Sequence, residues 1–491
     1  MIAGLSLTSQ CRDVQMESTM YDADAIAAHD RQVVADIRRR QTLINDSGHA
    51  TGHRIRDVRL YRVMMPWTGT KRWDGSAETF SFAEFETDQG LVGIAEGVPA
   101  DTADELKARV LDHNPFDPAI RADLGLAYWD FAGKVAGLPL HRYLRQVFEL
   151  DTPVVERVPM AAYTWYRFPD PDGNHEVTFD TYPQHLQQII DEHGFRVIKL
   201  SMCDFEPPRY VELIHNIRQA LGPEVIIRVD PHASWSESQA LRFMQAVEPY
   251  DLEWIEEPVG GSFENIYRAG HRLRNMSTVP ISSHAWIPPI RKDLIPPSPD
   301  GRGFGRYSDS ALDAPLDLDA IRRFVPADIS APDAYEGPLA LKRLYDTSLF
   351  MGLELGMHSA YELGPATVIR LHTAAFAFPY ELPYHIAWGR PVAPFALHAL
   401  DGHYNQWEGD VIRGGKLTYD QGFLQIPEGP GLGVELDPDL LQQYELTEEK
   451  MEPHRRHIEA IRERHLDALG WRQERTGWPR YSSGTGGRTN C

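Results

Sequence analysis

Cysteine is nearly absent from these 491 residues: Cys11, Cys203 and Cys491 are the only three. Three scattered thiols exclude a disulfide framework and a cysteine-based zinc cluster. Long apolar runs are missing as well; no stretch approaches the ~18 uninterrupted apolar residues that cross a bilayer, so no membrane partner is expected. Positive charge is in deficit, with 49 Lys and Arg against 71 Asp and Glu and a net charge of −22. That balance argues against nucleic acid as a partner and obliges an anionic substrate to find local cations or a metal. The opening Met1-Ile2-Ala3-Gly4-Leu5-Ser6-Leu7 has no basic leader and turns polar at Gln10, Arg12 and Asp13, before an apolar signal core forms. A cytoplasmic location is the expectation. Cys203 falls in an expected active-site loop, where a half-buried small side chain is the plainer reading.

What the chain does have is length and rhythm. It is too long for one ordinary domain and suits a barrel plus a smaller domain. Residues 1–52 are polar and irregular around one helical stretch, 25–44, and read as an N-terminal arm with a solvated surface helix. Residues 55–63 and 80–87 alternate apolar and polar, and 91–96 follow a turn at Asp88-Gln89-Gly90, which predicts an antiparallel meander. Helical spacing over 124–135, stopped by Gly137, completes an α+β capping domain at 53–155.

From 156 to 415 the pattern becomes strand, helix, strand, helix, the mark of parallel βα units. The apolar helix face Leu213, Ile214, Ile217, Leu221 ends at Gly222-Pro223 before a strand at 225–229. Ser236 and Gln239 form a capping-box pattern ahead of a helix that carries Leu241, Met244 and Val247. Further strands are predicted at 252–255, 279–283, 329–331, 353–357 and, weakly, 384–386. The expected fold is a (β/α) barrel of modified TIM type, with the capping domain completed by a C-terminal segment, 416–491, whose tail is flexible from about residue 482 by its Ser and Gly content. Residues 287–315, rich in Pro, Gly, Asp and Ser, interrupt the rhythm at the catalytic end of such a barrel and are a lid candidate.

In a parallel barrel, catalytic groups sit at the carboxyl ends of successive strands and recur once per unit. Lys199 ends one predicted strand, Asp230 follows after 31 residues, Glu256 after 26 and His284 after 28; beyond the insertion, Asp333 and His358 are 25 apart. A lone acid at a strand end is commonly a helix cap or loop hydrogen-bonder. Six polar residues in phase instead converge on one mouth.

These residues also carry a family resemblance. Val229-Asp230-Pro231-His232-Ala233-Ser234-Trp235-Ser236, Trp254-Ile255-Glu256-Glu257-Pro258, Pro332-Asp333-Ala334 and Met357-His358-Ser359 resemble the successive motifs of the enolase superfamily, in its mandelate racemase and glucarate dehydratase branches. Gln425-Ile426-Pro427-Glu428-Gly429-Pro430-Gly431-Leu432-Gly433-Val434 resembles the terminal signature of the same branches, and the likeness spans about residues 55 to 440. The resemblance implies Mg²⁺ held by Asp230 and Glu256 with a third ligand one strand later, and His358 as the base for the proton next to a substrate carboxylate, oriented by Asp333. It also implies a small sugar acid as substrate and a homo-oligomer.

Three departures from the family pattern sharpen the expectation. Where relatives place Lys-x-Lys, this chain has Lys199-Leu200-Ser201, and a serine hydroxyl is no base without an activating partner. A two-base racemase is therefore disfavoured and a one-base dehydratase favoured, with Lys199 a cation near the substrate carboxylate or simply a strand-end lysine in a salt bridge. At the third ligand position Ile281-Ser282-Ser283-His284 presents an imidazole, which suits Mn²⁺, Fe²⁺, Co²⁺ or Zn²⁺ better than Mg²⁺; His284 either ligates or hydrogen-bonds a metal-bound water. His232 stands where relatives carry Asn. Ser201, His232, His385, Tyr163, Tyr166 and Arg72 are the substrate-binding candidates. For His385 a core or surface role, for the tyrosines packing, and for Arg72 with Lys71 a solvated basic turn are the competing readings. The expected reaction is dehydration of a sugar acid to a 2-keto-3-deoxy acid; a one-base epimerase or cycloisomerase, and a non-catalytic sugar-acid binder, are the alternatives.

Overall fold

The structure, a computed structural model, describes residues 22–71, 75–167, 177–202, 205–284, 289–290, 307, 309–332, 336–358, 361–378, 384–385, 390–391, 399–456 and 459. A long helix, α1 (Ala23–His49), precedes three antiparallel strands in the order β1 (Ile55–Lys71), β2 (Gly75–Thr87) and β3 (Val92–Glu96). Helices α2 (Ala103–Val110), α3 (Arg121–Leu124), α4 (Leu126–Ala136) and α5 (Leu140–Val147) pack beside them. The expected stop at Gly137 is a left-handed C-cap, φ 67°.

The parallel sheet then alternates with helices. Its elements are β4 (Arg157–Thr164), α6 (Tyr182–His193), β5 (Val197–Ser201), α7 (Pro207–Leu221), β6 (Ile226–Asp230), α8 (Glu237–Val247), β7 (Trp254–Glu256), α9 (Phe263–Arg274) and β8 (Ile281–Ser283). It continues through α10 (Leu318–Arg323), β9 (Ile329–Ser330), α11 (Pro338–Phe350), β10 (Glu354–Leu355) and α12 (Gly364–Ala377). A short hairpin, β11 (Tyr384–His385) with β12 (Arg390–Pro391), precedes β13 (Leu400–Gly402), β14 (Phe423–Gln425) and α13 (Pro438–Gln443).

Strand order is β10-β9-β8-β7-β6-β5-β4-β13, eight parallel strands, with β14 antiparallel on the entry end of β4. Asp401 N reaches Met357 O (3.4 Å), drawing the two edges together into a barrel. The weak strand expected at 384–386 is corrected here: Tyr384–His385 pairs with Arg390–Pro391, and the eighth barrel strand is Leu400–Gly402. Period-2 reading cannot register a three-residue strand, because it shows barely one alternation. The capping box at Ser236 and Gln239 forms as expected.

The solvated arm expected at the N-terminus is packed instead. Ile26, Ile37 and Ile44 lie on one stripe of α1 and are buried, and Asp30 makes a buried two-pronged pair with Arg343 on α11 (2.8 and 2.7 Å). Arg343 also donates to Ala311 O (2.5 Å) and Ala314 O (2.7 Å). Asp309 pairs with Arg121 and accepts from Leu339 N and Ala340 N (both 2.8 Å) at the start of α11. The returning limb of the 287–315 insertion is thus pinned to the barrel and to the helices before it.

The antiparallel unit and the barrel are tied by buried polar contacts. Glu96, at the end of β3, accepts from Leu363 N (2.8 Å) and Ala366 N (3.1 Å) at the start of α12; burial pushes its pKa up to about 8. Asp130 on α4 accepts from Ile94 N and Leu432 N, bringing the C-terminal segment back onto this unit. Gly431 sits there with φ 73°, and a Cβ at that position would overlap the Asp130 carboxylate.

A second tie is a pair of neutral imidazoles. His372 Nδ1 on α12 accepts from His141 N on α5 (3.3 Å) and lies 3.0 Å from His141 Nδ1, while His372 Nε2 faces Leu432 O at 3.1 Å. Burial lowers both pKa values, to about 3 for His141 and about 4 for His372. Between those values and the ~6.5 of a free imidazole the unfolded chain binds more protons than the folded one, so stability falls as pH drops through this window. The expected result is a lower urea midpoint at pH 5 than at pH 7.5, with the difference reduced in His141→Leu. An unchanged difference in that variant would place the acid sensitivity elsewhere.

Candidate active site

Lys199, Arg228 and Trp254 share one level of the barrel by register. Lys199 is fully buried, its Nζ 2.8 Å from Glu256 Oε2, 2.9 Å from Asp401 Oδ2 and 3.2 Å from Asp230 Oδ2. Arg228 reaches Asp401 Oδ1 (2.6 Å) and Glu253 Oε2 (2.5 Å), with its guanidinium 3.7 Å over the Trp254 ring. Burial works against the Lys199 charge, but Asp401, Glu256 and Asp230 outweigh it and hold its pKa above the ordinary lysine value. Lys199 therefore stays an ammonium that fixes three carboxylates.

Toward the mouth, Tyr163 OH donates to Asp230 Oδ2 (3.1 Å) and lies 2.9 Å from His232 Nε2, which is 3.1 Å from Ser201 Oγ. His232 (φ 51°) and Ala233 (φ 53°) are in the left-handed region, which costs non-glycine residues energy. That turn aims His232 N at Asp230 Oδ1 (2.9 Å). Burial alone would raise the Asp230 pKa; His232, Lys199 and His358 together hold it below the usual carboxylate range.

Across the mouth, His358 Nε2 faces Glu256 Oε1 at 3.4 Å, and the His284 and His358 rings are 4.3 Å apart. Burial, then His284 and Lys199, lowers the His358 pKa well below that of a free imidazole, so it is neutral at pH 7. His284 Nε2 lies 3.4 Å from Glu257 Oε2, whose other oxygen accepts from Ser283 Oγ (2.5 Å). Glu256 is fully buried, and its Oε1 has no hydrogen-bond partner among the described residues.

These groups fit a divalent cation. Asp230, Glu253, Glu256 and Asp401 against Lys199 and Arg228 leave a formal excess of two negative charges. Glu256 Oε1 is an orphaned buried acceptor, and Asp230 Oδ1, taking one backbone N–H, keeps a lone pair. Glu256, His284 and His358 each bring one donor atom within 4.8 Å of the others.

Of the sequence candidates, Lys199, Ser201, Asp230, His232, Glu256, His284, His358 and Tyr163 gather at this mouth. Tyr166 has its ring against Phe179 and Phe205. Arg72, Asp333 and the His385 side chain lie outside the described residues, as does Cys203. Sequence reading missed Asp401, Arg228, Glu257 and His403, whose ring stacks on Tyr163 at 4.0 Å. Arg228 had a signal: a charge inside an apolar strand, two residues before Asp230 and on the same face. Asp401 had none, because its strand is three residues long.

Comparison with known proteins agrees with this fold. Residues 181–284 match the enolase C-terminal domain-like family. A D-Ala-D/L-Ala epimerase from Cytophaga hutchinsonii is 23% identical over 66% of this chain and 71% of its own length. A probable glucarate dehydratase from Streptomyces coelicolor is 23% identical over 71% and 68%. An enolase from Pseudomonas fluorescens, solved with bound magnesium, potassium and tartrate, superposes with a TM-score of 0.61 at 19% identity, covering 85% of this chain and 97% of that one; at that identity the likeness speaks for the fold. Among the described residues no helix is long and apolar enough to cross a membrane. Strand-end acids, a histidine across the mouth and a matching barrel are the features in which this chain is similar to the enolase superfamily.

Proposed function

We propose that the protein is a metal-dependent dehydratase of sugar acids, converting an α,β-dihydroxy acid to a 2-keto-3-deoxy acid. The observation that carries this reading is the split use of Glu256: Oε2 is fixed by Lys199, while Oε1 points unpartnered into the mouth opposite His358. Asp230 and Glu256, with His284 as the third ligand, would hold Mg²⁺, in keeping with magnesium in a solved relative. When bound, the ion offsets the negative charge that grows on the substrate carboxylate as the α-proton leaves.

His358, neutral because buried, takes the α-proton at its imidazole; the C–H electrons pass into the carboxylate as an enediolate. The imidazolium then returns the proton to the β-hydroxyl, the C–O bond breaks, water departs, and the enol tautomerises to the keto acid. Asp333 would orient the imidazole. Lys199 keeps Asp230 and Glu256 aligned, and Tyr163, His232 and Ser201 line the opposite side, where substrate hydroxyls can be held.

A second reading, epimerisation, is favoured by one observation: His232 Nε2 lies beside Ser201 Oγ, so an imidazole occupies the side from which relatives present their second lysine. A panel of sugar acids assayed with Mg²⁺ and Mn²⁺ separates the two. Formation of 2-keto-3-deoxy acid is expected. Deuterium exchange from solvent into recovered substrate, without keto acid, would replace dehydration by epimerisation.

A further inference from the structure

We propose that Glu256, His284 and His358 form a site for a transition-metal dication of the Zn²⁺ class, and that occupancy of this site withdraws His358 from proton transfer. Donor atoms of the three lie within 4.8 Å of one another, and a tetrahedral ion with bonds of about 2.0–2.1 Å needs separations of about 3.3 Å. His358 Nε2 and Glu256 Oε1 are already at 3.4 Å, so only a modest swing of His284 completes the set. Glu256 Oε1, fully buried, has no hydrogen-bond partner among the described residues, and an ion is what would relieve its burial. Glu257, 3.4 Å from His284 Nε2 and braced by Ser283, supplies the outer carboxylate that commonly steadies a ligating histidine.

The donor chemistry selects the ion. Two imidazole nitrogens and one carboxylate suit Zn²⁺ and Co²⁺, whereas Mg²⁺ prefers carboxylate and water oxygens in an octahedron and is better served by the set that includes Asp230. Asp230 is not part of this set, whose three donor atoms come from Glu256, His284 and His358. The mouth is open to the ion, since the His284 side chain is 37% exposed and that of His358 18%. Two metal positions therefore share Glu256 and His284 and differ in the remaining partner, Asp230 for catalysis or His358 for the transition ion. Inhibition by the bound ion rests on His358 being the base of the proposed reaction.

The test uses the full chain stripped of metal by a chelator. Co²⁺ should give the intense visible bands of a four-coordinate site, displaced by one equivalent of Zn²⁺ in calorimetry. His358→Asn and His284→Gln should each weaken Zn²⁺ by more than about 100-fold, beyond the 10–100-fold typical of losing an outer partner. Asp230→Asn should leave Zn²⁺ binding within a few-fold, each variant being checked for native circular dichroism. Zn²⁺ affinity unchanged in His358→Asn, or abolished in Asp230→Asn, would overturn the site. With Mg²⁺-loaded protein, turnover should fall in step with Zn²⁺ occupancy. Zn²⁺ held by all three ligands without loss of turnover would overturn the inhibitory half and the role of His358 as base, while the binding site itself stood.

Discussion

His358→Asn is expected to lower turnover by about 10²–10⁴-fold, the range contributed by a positioned general base, while the fold and its denaturation midpoint stay close to wild type. The side chain is largely enclosed, its Nε2 3.4 Å from Glu256 Oε1, so asparagine removes the base while keeping a polar side chain in its place. Steady-state kinetics on the sugar acid that the panel identifies, with near-ultraviolet circular dichroism as the folding control, reads the effect. A variant within threefold of wild-type rate would show that another group, His232 being the nearest imidazole to Ser201, removes the proton.

Asp401→Asn is expected to lower the stability of the barrel interior. Asp401 is 1% exposed and bridges the two buried cations, Lys199 at 2.9 Å and Arg228 at 2.6 Å. Breaking a buried pair by removing one partner typically costs about 3–5 kcal/mol, because the remaining charge is left without compensation. Lys199 keeps Asp230 and Glu256, and Arg228 keeps Glu253, so the lower end of that range is expected. The loss should appear as a lower urea midpoint. Lys199, drawn harder onto the remaining carboxylates, should also compete better with a divalent ion and weaken its binding. A loss under about 1 kcal/mol would mean that Asp230, Glu256 and Glu253 balance both cations without it.

The repeating acids were legible because strand-end positions recur at the spacing of a βα unit, and that spacing survives in one dimension. Lys199, Asp230, Glu256, His284 and His358 could be picked out on that basis, and the helix stops at Gly137 and Gly222 followed from backbone chemistry that each glycine carries locally. Other features resisted for equally physical reasons. β13 is too short to alternate, so Asp401 looked like a loop residue. α1 read as solvated because its buried stripe is narrow, Ile26, Ile37 and Ile44, and because the partner of Asp30, Arg343, is 313 residues away.

By itself the sequence determined the barrel rhythm, the order in which acids and histidines arrive at its mouth, and the replacement of the second lysine by Ser201; all are properties of neighbours along the chain. Only the tertiary structure decided which of those groups face one another. It closed the barrel with Leu400–Gly402, buried Lys199 among three carboxylates, and set His358, with His284 beside it, against the unpartnered oxygen of Glu256. Electrostatic energy depends on separation in space and on exclusion of water, and the folded packing sets both.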